Sequence, residues 1–96
     1  MEKKQKIRIA RCGTEQVRIT GRILPTEVNR HGRPIEICVE TETFERYIIS
    51  GGQKAKELFN LIFKDVVVEG TIVSENIVGD PVIKIEQYRL SDEHVV

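Results

Sequence analysis

Polar and apolar residues alternate along most of this chain, and the alternation is interrupted at only a few points. Over residues 16–28, Val17, Ile19 and Ile23 fall on one side and Arg18, Thr20 and Arg22 on the other. A period of two is the mark of a strand with one buried face. Gly21 sits inside this run, as Gly70 sits inside Val66-Val67-Val68-Glu69-Gly70-Thr71-Ile72. A glycine in a strand interior marks a bend or a close approach by another backbone. Pro25, near the far end of the first run, marks a bulge or an edge position.

Asn29-Arg30-His31-Gly32-Arg33-Pro34 predicts a turn, because Asn and Gly tolerate positive φ and Pro pre-sets the exit. A second strand follows, with Ile35, Ile37 and Val39 facing inward and Glu36, Cys38 and Glu40 outward. Thr41-Glu42-Thr43 connects it to a third strand over about 44–50. The facing of that strand stays open, since either Phe44 with Ile48 or Tyr47 with Ile49 could be the core pair. The period then changes. Ala55, Leu58, Phe59 and Ile62 recur at i, i+3, i+4 and i+7, which predicts a helix of about three turns opened by Ser50-Gly51-Gly52. A fourth strand over 65–74 puts Val66, Val68, Gly70 and Ile72 on one face. Gly79-Asp80-Pro81 turns the chain into a fifth strand over 82–90. Residues 6–12 read either as an extra N-terminal strand or as an extended arm. The expected organisation is a basic arm or extra strand over 1–14, one barrel domain over 15–90 and a tail over 91–96. No internal repeat or low-complexity segment stands out.

The order β-β-β-α-β-β, with a long kinked first strand and one short helix between strands three and four, is the plan of a mainly β, five-stranded Greek-key barrel. With Val17 to Ile23, the turn Arg30-His31-Gly32-Arg33 and Val66 to Ile72, the chain resembles the OB-fold superfamily. The likeness is to the nucleic-acid-binding, tRNA anticodon-binding type attached to some aminoacyl-tRNA synthetases. It covers about residues 16–90 and implies a closed barrel with the helix at one end. It also implies a ligand surface on strands two and three and on the loops joining strands one–two and four–five.

Composition narrows the function classes. The 96 residues suit one domain, with 40% hydrophobic and 31% charged side chains, a globular balance. No apolar run nears the ~20 residues that span a bilayer. The charged start Met1-Glu2-Lys3-Lys4-Gln5-Lys6 is followed by no apolar stretch of signal-peptide length, so a cytoplasmic location is expected. Cys12, Cys38, His31 and His94 do not make a metal-ligand pattern. Two unpaired thiols, no metal and no cofactor are expected. His31 has no partner nucleophile, no carboxylate dyad accompanies it, and no phosphate-cradling glycine loop is present, so catalysis is not expected.

The net charge of zero is unevenly spread. Residues 1–11 carry +4 and the remainder −4, whereas a polyanion-binding domain normally has a positive footprint on its folded part. The positive evidence for such a ligand is local. Arg30, His31 and Arg33 surround a flexible Gly32, and Arg18 and Arg22 share one strand face. Arginine's planar fork suits phosphate and base edges alike. Phe44 with Arg46, or Tyr47 under the reverse facing, would add a stacking platform. Against this stand Glu36, Glu40, Glu42, Glu45, Glu75 and Asp80, and Arg18 and Arg22 could pair across strands with Glu36, Glu40 or Glu42. The reading that follows is a non-enzymatic module binding single-stranded nucleic acid or RNA weakly. The alternative is a protein-interaction or assembly module that pairs strand edges, including homodimer formation by residues 6–12.

Overall fold

The structure, a computed structural model, describes residues 15–91. The N-terminal arm or strand with Cys12, and the tail with His94, lie outside the described residues. Five strands and one short helix follow in the expected order: β1 (Glu15–Val28), β2 (Pro34–Glu40), β3 (Arg46–Ile49), α1 (Gln53–Leu58), a 3₁₀ turn (Phe59–Leu61), β4 (Asp65–Glu75) and β5 (Pro81–Leu90).

The strands close into a barrel in the order β1-β2-β3-β5-β4, with β4 returning to β1. All pairings are antiparallel except β3–β5. That seam is narrow: Ile48 pairs with Val82 and Ile49 with Ile83. β1 serves two neighbours. Its first half, Glu15–Arg22, pairs with β4, and its second half, Arg22–Val28, pairs with β2.

This double service requires a sharp corner, and Gly21 supplies it. A Cβ built on Gly21 would lie 2.4 Å from the Glu40 carbonyl oxygen. Gly70 plays the same part where β4 meets β5, with a Cβ there 2.1 Å from the Lys84 oxygen. Side chains facing into the barrel form one core of Ile19, Ile23, Ile37, Val39, Ile49, Ala55, Leu58, Val66, Val68, Ile83 and Ile85. Burying each larger aliphatic side chain contributes roughly 1.5–3 kcal/mol.

Several expectations need correction. The helix is half its expected length, because tertiary backbone bonds compete with its last turns. The Phe63 N–H donates to the Ile23 carbonyl (2.7 Å), and the Ile23 N–H donates to the Lys64 carbonyl (3.1 Å). Phe63 ends the segment at φ 72°. Ala55 and Leu58 are buried as expected, while Phe59 and Ile62 pack against the rim of the core. α1 is tied to β5 by Tyr88, whose hydroxyl donates to Glu57 (2.6 Å), and Lys54 lies 6.0 Å from the Tyr88 ring centroid.

β3 is shorter than 44–50, since residues 41–45 form a hairpin loop instead. Tyr47 and Ile49 face inward, with Arg46 and Ile48 outward. In β2, Ile35 is half exposed rather than inward, because it lies where the β1–β2 register slips between Pro25 and Val28, past the rim. Cys38, expected outside in water, is fully buried.

Candidate nucleic-acid interface

Three of the connections share one design, which the sequence reading missed. In the β1–β2 loop, Asn29 Oδ1 accepts from the N–H groups of His31 (2.9 Å) and Arg33 (3.0 Å). Its carbonyl accepts from Gly32, which sits at φ 82°. In the β4–β5 loop, Asn76 Oδ1 accepts from Val78 (3.1 Å) and Asp80 (2.8 Å), and its carbonyl from Gly79 at φ 94°. The six-residue pattern Asn-x-x-Gly-x-Pro therefore occurs twice, at 29–34 and 76–81. In the β2–β3 loop Thr41 Oγ1 replaces the Asn oxygen, accepting from Thr43 (3.3 Å) and Glu45 (3.2 Å). The left-handed position there is occupied by Phe44, at φ 69°. Short polar side chains that bond their own backbone two and four residues on hold such loops in one shape.

The same scaffold thus presents three different tips. The β1–β2 tip carries Arg30, His31 and Arg33. The β2–β3 tip carries Phe44 between Glu42 and Glu45. The β4–β5 tip carries Ile77 and Val78 between Glu75 and Asp80.

The candidate site residues separate accordingly. Arg18 pairs with Glu69 (3.4 Å) and Arg22 with Asp65 (3.0 Å). These carboxylates are on β4; Arg22 also stands opposite Glu40 of β2 in register, as expected, but its ion pair goes to Asp65. The hydrogen bond that Arg22 donates to Asp65, with the attraction of that carboxylate, raises the Arg22 pKa. Arg46 faces Glu40 at 3.9 Å. Tyr47 points into the barrel, and burial, with smaller effects of Glu45 and Glu15, pushes its pKa up. It is not a stacking platform. Phe44 is 79% exposed, but it lies on the hairpin tip and not on the sheet face beside Arg46. Among the described residues, Arg30, His31 and Arg33 make no ion pair.

The face between the loops is built around an apolar row. Leu24, Cys38, Ile48 and Val82 are register partners across β1, β2, β3 and β5, all on the outer side. Cys38 and Ile48 are buried, and Leu24 and Val82 half-buried. Directly opposed side chains lie ~5 Å apart, so a short cysteine sinks between longer neighbours. Burial pushes the Cys38 thiol pKa up, against the opposing influence of Arg46. Beside this row, Glu36 accepts from Thr26 Oγ1 (2.7 Å), and Glu40 is engaged by Arg46. Strands two and three therefore offer neither a positive groove nor an exposed aromatic.

Among the described residues, no group of three or more His, Cys, Asp or Glu is placed to hold a metal ion, and no helix is long and apolar enough to cross a membrane. Compared with known proteins, the chain matches no family model and no curated relative.

Proposed function

We propose that this protein is a binding module on an OB-type barrel and that its β1–β2 loop contacts the phosphates of single-stranded nucleic acid or RNA. The strand order, the parallel β3–β5 seam and the helix between β3 and β4 support the assignment to that fold. The observation that carries the ligand is the contrast among the arginines. Arg18, Arg22 and Arg46 each face a carboxylate, whereas among the described residues Arg30 and Arg33, like Arg89 on β5, make no ion pair, and the first two stand together on a loop whose backbone is held by Asn29. His31 adds a third donor. Phe44 is left out of the contact set, because Glu42 and Glu45 surround it with charge that repels phosphate.

Two or three phosphate contacts give weak, sequence-tolerant binding. For single strands log K falls by about 0.7 per contact for each tenfold rise in salt. Affinity should then drop about 7- to 18-fold between 50 and 200 mM salt. A fluorescence titration with labelled single-stranded DNA and RNA at these two concentrations tests the reading. Loss of binding in Arg30→Glu/Arg33→Glu is expected. No binding below about 100 μM at low salt sinks the proposal.

A further inference from the structure

The barrel has two unlike ends, and their chemistry is complementary. Phe44 and Val78 each stand four residues before the Ile48–Val82 register pair on adjacent parallel strands. The β2–β3 and β4–β5 tips therefore emerge from the same end. That end exposes Phe44 (79%), Ile77 (103%) and Val78 (76%), three large apolar side chains with no folding role. Around them stand Glu42, Glu45, Glu75 and Asp80, none of which makes an ion pair among the described residues. The β1–β2 loop lies at the other end of β2, seven residues away or roughly 20 Å at strand spacing. It exposes Val28 and Ile35 beside Arg30, His31 and Arg33.

Phe44 sharpens the point. The two sister loops fill the left-handed position with glycine, whereas this one holds a phenylalanine there at φ 69°. A non-glycine residue in that region carries a cost of order 1 kcal/mol or more, and exposure to water returns none of it.

We propose that the apolar, acidic end formed by the β2–β3 and β4–β5 tips docks onto the apolar, basic β1–β2 end of a second copy of this chain. The contact is head-to-tail. A two-fold axis through the acidic end would instead bring that end against itself. Heterologous contacts of this kind form closed rings or open chains. The oppositely charged ends steer the approach, and the association weakens with salt. This proposal goes beyond nucleic-acid binding and stands on a different observation, the exposed apolar tips.

Sedimentation velocity of the full chain from about 5 μM to 1 mM, at low and high salt, reads the outcome. The wild type should grow in mass with concentration at low salt and less so at high salt. Glu42→Lys/Glu45→Lys and Arg30→Glu/Arg33→Glu should each stay monomeric, and an equimolar mixture of the two should associate again. Phe44→Gly, which suits the backbone there, should weaken association at least tenfold without lowering thermal stability. A wild-type monomer over the whole range overturns the proposal. So does association that persists in both charge variants, or a mixture that remains monomeric.

Discussion

Replacing Gly70 by alanine should damage the barrel more than any other glycine substitution among those described. The added Cβ would lie 2.1 Å from the Lys84 carbonyl oxygen and 2.9 Å from its carbon. Non-bonded carbon–oxygen contacts settle near ~3.3 Å, so β5 would have to retreat by about 1.2 Å. No side-chain rotation relieves the clash, because the atoms in the way are backbone. The retreat would also pull Ile83 and Ile85 from the core. Overpacking within a core costs ~1–3 kcal/mol when side chains can adjust, and a rigid backbone puts this case at the top of that range or beyond, about 3 kcal/mol. For a chain this size, each kcal/mol moves Tm by about 4–8 °C, so the midpoint should fall by about 12–24 °C.

The other glycines calibrate the estimate. Gly21→Ala should come close behind, with its Cβ 2.4 Å from the Glu40 oxygen. Gly79→Ala meets nothing within 4 Å but must hold φ 94°, which should cost about 1–2 kcal/mol. Gly51→Ala has open space and no positive φ, and should be neutral or slightly stabilising. Thermal and urea denaturation of the four variants gives the ranking directly. A Gly70→Ala loss below about 1 kcal/mol would refute the claim that β5 crosses β4 in contact at that point.

Other consequences are separately measurable. Glu57 is held below its ordinary carboxylate pKa of 4.5, mainly by the Tyr88 hydroxyl, and Tyr88 is raised above 10.0 by the same bond. The Glu57 contribution is present above its unfolded pKa and lost as pH falls through the lower folded value; the Tyr88 contribution is present below pH 10 and lost as pH rises through the higher one. Urea midpoints of Tyr88→Phe should therefore depend less on pH at both the acid and alkaline limits, and unchanged pH profiles would contradict the bond. Cys38, in a Cys12→Ser background, should react with a thiol reagent much more slowly in the native protein than in urea. Native labelling at the unfolded rate would place the thiol in water. Phe44→Gly should leave the denaturation midpoint unchanged or raise it, and a fall of more than about 1 kcal/mol would show that Phe44 supports the fold.

The strands were legible in the sequence because each half-buried face alternates, and the two corners because only glycine tolerates another backbone at that distance. The shared order of elements followed. Three features did not. Helix length was hidden, since the i, i+3, i+4, i+7 series continues through Phe59 and Ile62 while bonds to Ile23 redirect the chain there. Cys38 defeated the two-face rule because Leu24, Ile48 and Val82, from three other strands, make an apolar row on the outer side. Sequence distance conceals such a row. The arginine partners were only partly legible. Arg18 lies on the half of β1 that pairs with β4, whereas Arg22, at the corner, stands opposite both Asp65 and Glu40 and ion-pairs with Asp65. The loop repeat was visible as Asn-x-x-Gly-x-Pro at 29–34 and 76–81, but its third member, built on Thr41 and Phe44, shares no residue type with the others at those positions.

The most direct test of the functional claim compares two pairs of arginines in one oligonucleotide titration at low salt. Arg30→Gln/Arg33→Gln should abolish most of the affinity and flatten its salt dependence, while Arg18→Gln/Arg22→Gln, which removes cations already engaged by Glu69 and Asp65, should leave affinity within about twofold. Equal losses from the two pairs, or a larger loss from the second, would contradict the account.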